Sequence, residues 1–254
     1  CDIILVEGNK NADWDKIWLN RIEAPDESPP PQGRFILKVG AGGDFSHNDV
    51  DSIHAFVSDW LSLRMASKPI FGGLLVGGKS TRMGRAKAGL PIGNETFAER
   101  QYTLLSKVCS RGYLLGNGPL PTPLKEVERV ADTPGIGGPL SGIVSAARFA
   151  PHVDWLFLAI DMPNVDEAYL TRLMNARKPG FKCVVSADPD GNLEPLAAVY
   201  SSQLLSAIRR SGAGELSLNG LLKNMGIGGD KGLYDPHVMV NVNTPADIGG
   251  LQLT

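Results

Sequence analysis

No stretch of this 254-residue chain approaches the roughly 18 consecutive apolar residues of a membrane-spanning helix. Cysteine is scarce. Cys1, Cys109 and Cys183 are odd in number and far apart, which excludes a disulfide framework and a metal knuckle. Four histidines, His47, His54, His152 and His237, show no ligand spacing. Charge of one sign is lacking too: the formal net charge of −2 leaves no basic excess for general nucleic-acid binding. These absences set the expectation of a cytoplasmic protein in a reducing compartment, without membrane or nucleic-acid partners. Apolar content is ordinary at 43%, enough for a sizeable core in one large or two small domains.

Glycine is plentiful, and its clustering picks out the organising loop, Phe71-Gly-Gly-Leu-Leu-Val-Gly-Gly-Lys-Ser-Thr-Arg-Met-Gly-Arg-Ala-Lys87. Leu74-Leu-Val76 reads as a buried strand. Gly77, Gly78 and Gly84 then permit tight turns and close ligand approach, beside the cations Lys79, Arg82 and Lys87. Backbone N–H groups with fixed cations suit a triphosphate. Gly73 to Ser80 also satisfy the P-loop pattern G-x-x-x-x-G-K-[ST]. Context argues against it. The strand falls inside the supposed loop, and Gly84, Gly89, Pro91 and Gly93 follow where a helix should open. The better reading is a strand, a long phosphate loop, and a helix from about Glu95.

From Ile70 onward, strands alternate with helices. Helices are expected over Glu95–Ser110, Leu140–Phe149, Asp166–Arg177, Ser201–Arg210 and Leu216–Asn224. Strands are expected over Gly112–Gly116, Val127–Ala131, Lys182–Ala187, Glu194–Tyr200 and Val238–Asn243. The apolar run Trp155–Ile160 suits a central parallel strand buried on both faces, and Asp188-Pro-Asp-Gly191 reads as a hairpin turn. The pattern predicts an α/β fold, a doubly wound and mostly parallel sheet. In such sheets ligands sit beyond the C-terminal strand ends. Lys79, Arg82, Asp132 and Asp161 all fall there, as does the tight turn at Gly116-Asn117-Gly118. A carboxylate at the end of a buried strand is costly unless paired or metal-bound, so Asp161 is the candidate Mg2+ ligand. A helix cap or turn is the alternative for Asp161, and a turn before Thr133-Pro134 for Asp132.

The run Leu75–Lys87, with Gly77-Gly78 and Arg82-Met83-Gly84, resembles the signature of nucleotidyltransferases, most closely molybdenum cofactor guanylyltransferase. Ala86 stands where that loop often has an acidic residue. Leu158-Ala-Ile-Asp-Met-Pro163 resembles the family's metal-binding motif, and the likeness runs over about Ile70 to Leu251. The resemblance implies a Rossmann-like nucleotidyltransferase fold and transfer of GMP from GTP to molybdopterin, with release of pyrophosphate and Mg2+ as cofactor. It implies a nucleotide site drawn from Leu75, Val76, Gly77, Gly78, Lys87, Asn117, Asp132 and Asp161. Arg82, Lys87 and Asp161 are the implied catalytic residues, with Asp161 on the metal. Glu194 before Pro195, with Asn241 and Asn243 of an Asn-Val-Asn-Thr-Pro segment, resembles the acceptor side. Strand alternation would put both asparagines on one face; an edge strand with an Asx turn is the alternative. A molybdoenzyme or its chaperone is an implied further partner. A cytidylyltransferase, a sugar-phosphate nucleotidyltransferase and a non-catalytic adaptor remain as alternatives.

Residues 1–66 read differently. Strands are expected at Asp2–Gly8, Lys16–Arg21 and Phe35–Gly40, then a helix from Asn48 or Asp49 to about Leu63 with its apolar residues on one face. Ala66–Pro69 reads as a linker to a second domain over residues 70–254. The Val-Glu-Gly turn at Glu7 and the closing helix resemble the C-terminal half of the molybdopterin-guanine dinucleotide adaptor protein, a P-loop GTPase. No P-loop lies in this segment, so it is expected neither to bind nor to hydrolyse GTP by itself. A core-like strand at the very start leads to the expectation that a segment precedes Cys1.

Overall fold

The computed structural model describes residues 15–19, 34–39, 47–77, 87–211, 217–242 and 247. The chain divides into two compact units, residues 1–68 with 178–180, and residues 69–177 with 181–254. In the first, strands β1 (Asp15–Leu19) and β2 (Arg34–Val39) pair in parallel, followed by helix α1 (His47–Ser67). The helix runs through Ala66 and Ser67, which the sequence reading gave to a linker. Nothing between Asn48 and Ser67 is a glycine or proline, so no residue stops it before Pro69. The expected strand at Asp2–Gly8 lies outside the described residues.

The second unit begins with β3 (Ile70–Leu75), then a small hairpin of β4 (Pro91–Ile92) and β5 (Glu95–Thr96), and helix α2 (Phe97–Val108). The helix starts where Thr96 and Glu99 form a reciprocal capping box. Strands β6 (Arg111–Leu115) and β7 (Arg129–Val130) follow, then α3 (Pro139–Phe149), β8 (Asp154–Ala159) and α4 (Glu167–Asn175). The chain continues through β9 (Cys183–Val184), β10 (Ala197–Tyr200), α5 (Ser202–Arg210) and α6 (Leu218–Asn224). Asp166, Ser201 and Ser217 cap α4, α5 and α6 with side-chain oxygens.

Six strands form one sheet in the order β7-β6-β3-β8-β10-β9. Strands β7, β6, β3 and β8 run parallel, and β10 is antiparallel to both of its neighbours. The predicted doubly wound, mostly parallel α/β sheet is therefore the observed one. Alternation along each strand feeds two cores. Leu74, Leu114, Leu156 and Leu158 join the side chains of α2 and α4 on one face. Leu75, Leu115, Trp155 and Phe157 join α3, α5 and α6 on the other. All six residues of β8 are buried, as the apolar run predicts for a strand covered on both faces. Gly73 lies within β3, where an added Cβ would come within 2.5 Å of Leu115 Cδ1. It is a packing glycine in a strand, which removes the first position of the P-loop pattern. Whether a helix begins at Lys79 lies outside the described residues.

Of the expected strand Val238–Asn243, the described residues 238–242 form no strand, and Asn243 lies outside the described residues. Residues 236–238 make a turn, with Val238 N–H and Met239 N–H both donating to the Asp235 carbonyl. Met239 and Val242 are buried, three positions apart, so burial here does not follow the period of two of a strand. Val242 N–H donates to the Asp161 carbonyl at 2.8 Å, just past the end of β8, which is itself paired on both sides by β3 and β10.

Candidate active site

The chain leaves β3 toward β6 and β7 on one side, then crosses to β8 on the other side of β3. A crevice opens where the winding reverses, beyond the C-terminal ends of β3 and β8. Lys87 comes from the connection after β3, and Asp161 lies two residues past the end of β8. Lys87 Nζ donates to Asp161 Oδ2 at 3.1 Å, with the two side chains 13% and 24% exposed. The other carboxylate oxygen, Oδ1, is buried and has no hydrogen-bond partner among the described residues. A half-satisfied buried carboxylate is unfavourable unless something occupies the second oxygen.

Local structure fixes both groups. Lys87 opens a single 3-10 turn, Lys87–Gly89, closed by Leu90 N–H donating to the Lys87 carbonyl. Leu90, Ile92, Phe97 and Val242 bury that turn and the β4–β5 hairpin. The Asp161-Met162-Pro163 main chain is held from α2, where Gln101 Nε2 donates to the Met162 carbonyl at 2.5 Å and Arg100 Nε to the Pro163 carbonyl at 3.3 Å. Asp161 caps no helix; Asp166 caps α4 by accepting from Tyr169 N–H at 2.7 Å. Sequence reasoning missed Gln101, which is fully buried. Its signal was a polar residue at the four-residue spacing of Phe97 and Leu105, on the buried face of α2.

A second group gathers at the ends of β3, β6 and β7. Val76 N–H donates to the Leu115 carbonyl at 2.9 Å, continuing the ladder past Leu75. Asp132 Oδ2 accepts the Asn117 N–H at 3.0 Å, so its carboxylate ties two strand ends together and does not merely make a local turn. The turn presses on the β3 end: a Cβ on Gly118 would lie 1.9 Å from the Val76 carbonyl oxygen. Gly116 has φ +108°, and a Cβ there would fall 2.9 Å from the Gly77 nitrogen. Gly77, Asn117 and Asp132 are thus brought together. Gly78, Lys79 and Arg82 lie outside the described residues.

Glu194 stands half-buried ahead of β10. Burial, then the charges of Asp188 and Asp161, push its carboxyl above the ordinary range. The Asp161 contribution places Glu194 within the field of the same crevice. The hairpin expected at Asp188–Gly191 is present, with Asp188 Oδ1 accepting Asn192 N–H at 2.8 Å. Asn241 is exposed and is not on a strand, so the shared face predicted for the two asparagines does not apply to it; Asn243 lies outside the described residues.

Among the described residues, no cluster of three or more His, Cys, Asp or Glu is poised around a metal position, and no helix is long and apolar enough to cross a membrane. The donor set at Asp161 nonetheless fits a hard divalent cation. Its unpartnered oxygen is the ligand type that Mg2+ takes, and such ions complete their shell with water and substrate phosphate.

Residues 72–228 match the model of the MobA-like NTP transferase domain. The chain is 37% identical over 152 residues to a probable molybdenum cofactor guanylyltransferase of Opitutus terrae, covering 58% of this chain and 74% of that one. It is 28% identical over 192 residues to a molybdenum cofactor biosynthesis bifunctional protein of Synechocystis, covering 73% of this chain and only 54% of that protein. The fold superposes on molybdopterin-guanine dinucleotide biosynthesis protein A from Archaeoglobus fulgidus with TM-score 0.56 at 21% identity, covering 72% of this chain and 97% of the other. The matched span begins within β3 and takes in β6, β7 and β8 with Lys87, Asn117, Asp132 and Asp161 in the connections after these strands, and by that match the chain belongs to the MobA-like NTP transferase family of nucleotidyltransferases.

Proposed function

We propose that this protein is a Mg2+-dependent guanylyltransferase that joins GMP from GTP to the terminal phosphate of molybdopterin. The observation carrying the reading is the Lys87–Asp161 pair at the reversal of the sheet, with one Asp161 oxygen buried and unpartnered. The guanylyltransferase names of the relatives favour GTP over CTP.

The reaction forms a bond from a molybdopterin phosphate oxygen to the α-phosphorus of GTP and breaks the bond to the β-phosphate oxygen. Electrons of the broken bond leave with pyrophosphate. A phosphate dianion is already a nucleophile, so no general base is required. The task is to hold two polyanions together. Lys87, Arg82 and the amides of Gly77 and Gly78 neutralise the departing pyrophosphate in this reading. Leu75, Val76, Gly77, Asn117 and Asp132 hold the nucleotide. Glu194, with Asn241 and Asn243, lies toward the acceptor. Asp161 would hold Mg2+ through its unpartnered oxygen, and the ion would supply charge neutralisation for the reacting phosphates.

For residues 1–66 we infer a relation to the molybdopterin-guanine dinucleotide adaptor, preceding a transferase domain at 70–254. The parallel β1–β2 pair with α1 supports an α/β origin. A soluble location in the cytoplasm, and a molybdoenzyme or its chaperone as recipient, go with this reading.

The test is pyrophosphate release by the full chain from GTP and molybdopterin, with CTP and ATP in parallel. GTP-dependent release with formation of the guanine dinucleotide is expected. Release from CTP alone would assign a cytidylyltransferase, and binding without any release would assign an adaptor.

A further inference from the structure

Arg129 sits in β7 at the edge of the sheet, with no substrate role suggested by its position. Its side chain nevertheless makes two hydrogen bonds inward. Nε donates to the Gly116 carbonyl at 2.5 Å, and Nη2 donates to the Gly118 carbonyl at 2.6 Å. The two acceptors flank Asn117. The guanidinium therefore spans the turn as a planar fork, a geometry no other side chain offers.

That turn is the one that closes on the candidate nucleotide residues. Asn117 N–H donates to Asp132 Oδ2, Gly116 N–H donates to the Val130 carbonyl at 3.0 Å, and Gly118 lies against the Val76 carbonyl. Gly116 occupies a left-handed φ of +108°, in reach of few other residues. Two glycines around one asparagine leave the turn with little side-chain packing of its own. Arg129 is what holds the carbonyls on both sides of Asn117.

We propose that Arg129 is a positioning residue for nucleotide binding, acting by clamping the Gly116-Asn117-Gly118 turn so that Asn117 and Asp132 meet the nucleotide in a fixed arrangement. The inference rests on the proposed GTP site and adds a residue to it. Arg129 touches no reacting atom and lies on the β7 side of the sheet, away from the Lys87–Asp161 pair, so its effect falls on GTP affinity more than on turnover. Lysine carries a single ammonium in place of the fork and can satisfy only part of the pair.

The experiment measures GTP affinity directly, by calorimetry with a non-hydrolysable GTP analogue on the full chain, beside KM and kcat from pyrophosphate release. Arg129→Ala is expected to weaken the analogue and raise KM for GTP by about tenfold, the scale of one lost charge-assisted hydrogen bond, with a smaller change in kcat. Arg129→Lys is expected to fall between wild type and Arg129→Ala. In a cycle with Asn117→Ala, the double variant should lose less affinity than the product of the single losses, because both act through one turn. Wild-type affinity in Arg129→Ala would overturn the proposal. So would losses that multiply independently, since Arg129 would then act on the ligand by itself, and so would a lowered melting temperature with affinity intact. Failure of the wild type to bind the analogue is a different outcome, and it would remove the proposed function itself.

Discussion

Asp161→Asn is the sharpest perturbation of the proposed site, because it removes a charge while keeping shape. Opposite unit charges 3.1 Å apart attract by about 5 kcal/mol at an effective dielectric near 20. Desolvation of the pair and residual water access cancel most of that, leaving roughly 1–2 kcal/mol. Asparagine still offers Lys87 a carbonyl oxygen, so the stability lost should be ~1 kcal/mol, or about 2–4 °C in Tm for a domain of this size. The main-chain bonds from Gln101, Arg100 and Val242 go to carbonyls and survive the change. Activity should respond differently. An amide is a poor Mg2+ ligand, and losing one electrostatic contact at a phosphoryl-transfer site costs about 3 kcal/mol, roughly a hundredfold in kcat. The assay is pyrophosphate release with GTP and molybdopterin across a Mg2+ titration, alongside thermal unfolding. Turnover within about threefold of wild type would refute the assigned role. A collapse of Tm would instead mark the residue as structural.

Gly73→Ala separates packing from phosphate binding. Its Cβ would meet Leu115 Cδ1 at 2.5 Å and Phe157 Cδ1 at 3.0 Å, so a loss of about 1–3 kcal/mol in chemical denaturation is expected with GTP affinity kept. Lost GTP binding in a folded variant would bring back the P-loop reading. Glu194 has a folded-state pKa raised by burial and by two carboxylates, so its stabilising contribution is present below the unfolded value and disappears as pH rises through the folded one. Glu194→Gln should therefore raise Tm near pH 7, and the gain should shrink toward about pH 4; a constant difference across that range would contradict the argument. Burial pushes the Cys109 thiol up to about 12 against the opposing charge of Arg177, and burial raises Cys183 further. In a Cys1→Ser background, neither should react with a disulfide reagent at about pH 8 until the chain unfolds, and prompt labelling of the native protein would count against it.

Much of the second unit was legible because its signals are local. A run such as Trp155–Ile160 has one comfortable location, and Asp161 after it has few. Thr96 with Glu99, and Asp166, Ser201 and Ser217, mark helix starts to within a residue or two. The meeting of Lys87 with Asp161 follows from the adjacency of β3 and β8; alternation of elements puts both residues beyond C-terminal strand ends, while the strand order itself is seen only in the structure. Gln101 and Arg129 were not legible for a common reason. Both donate to backbone carbonyls 61, 13 and 11 positions away, and a carbonyl leaves no mark in the letters of its residue. The Val238–Val242 segment misled because a short apolar run reads as a strand, whereas the structure buries Met239 and Val242, three positions apart, with no period of two.

Strand β10 alone among the six opposes the direction of its fellows. Parallel strands offer the crevice what comes after them; a reversed strand offers what comes before. Lys87, Asn117, Asp132 and Asp161 are trailing residues, whereas Glu194 is a leading one. The hairpin from Asp188 to Glu194, which joins β9 to β10, can consequently be rebuilt in length or chemistry without disturbing the loops that follow β3, β6, β7 and β8. In the proposed reading, selectivity for the acceptor can drift there independently of the residues assigned to GTP, giving one scaffold two separately adjustable ends.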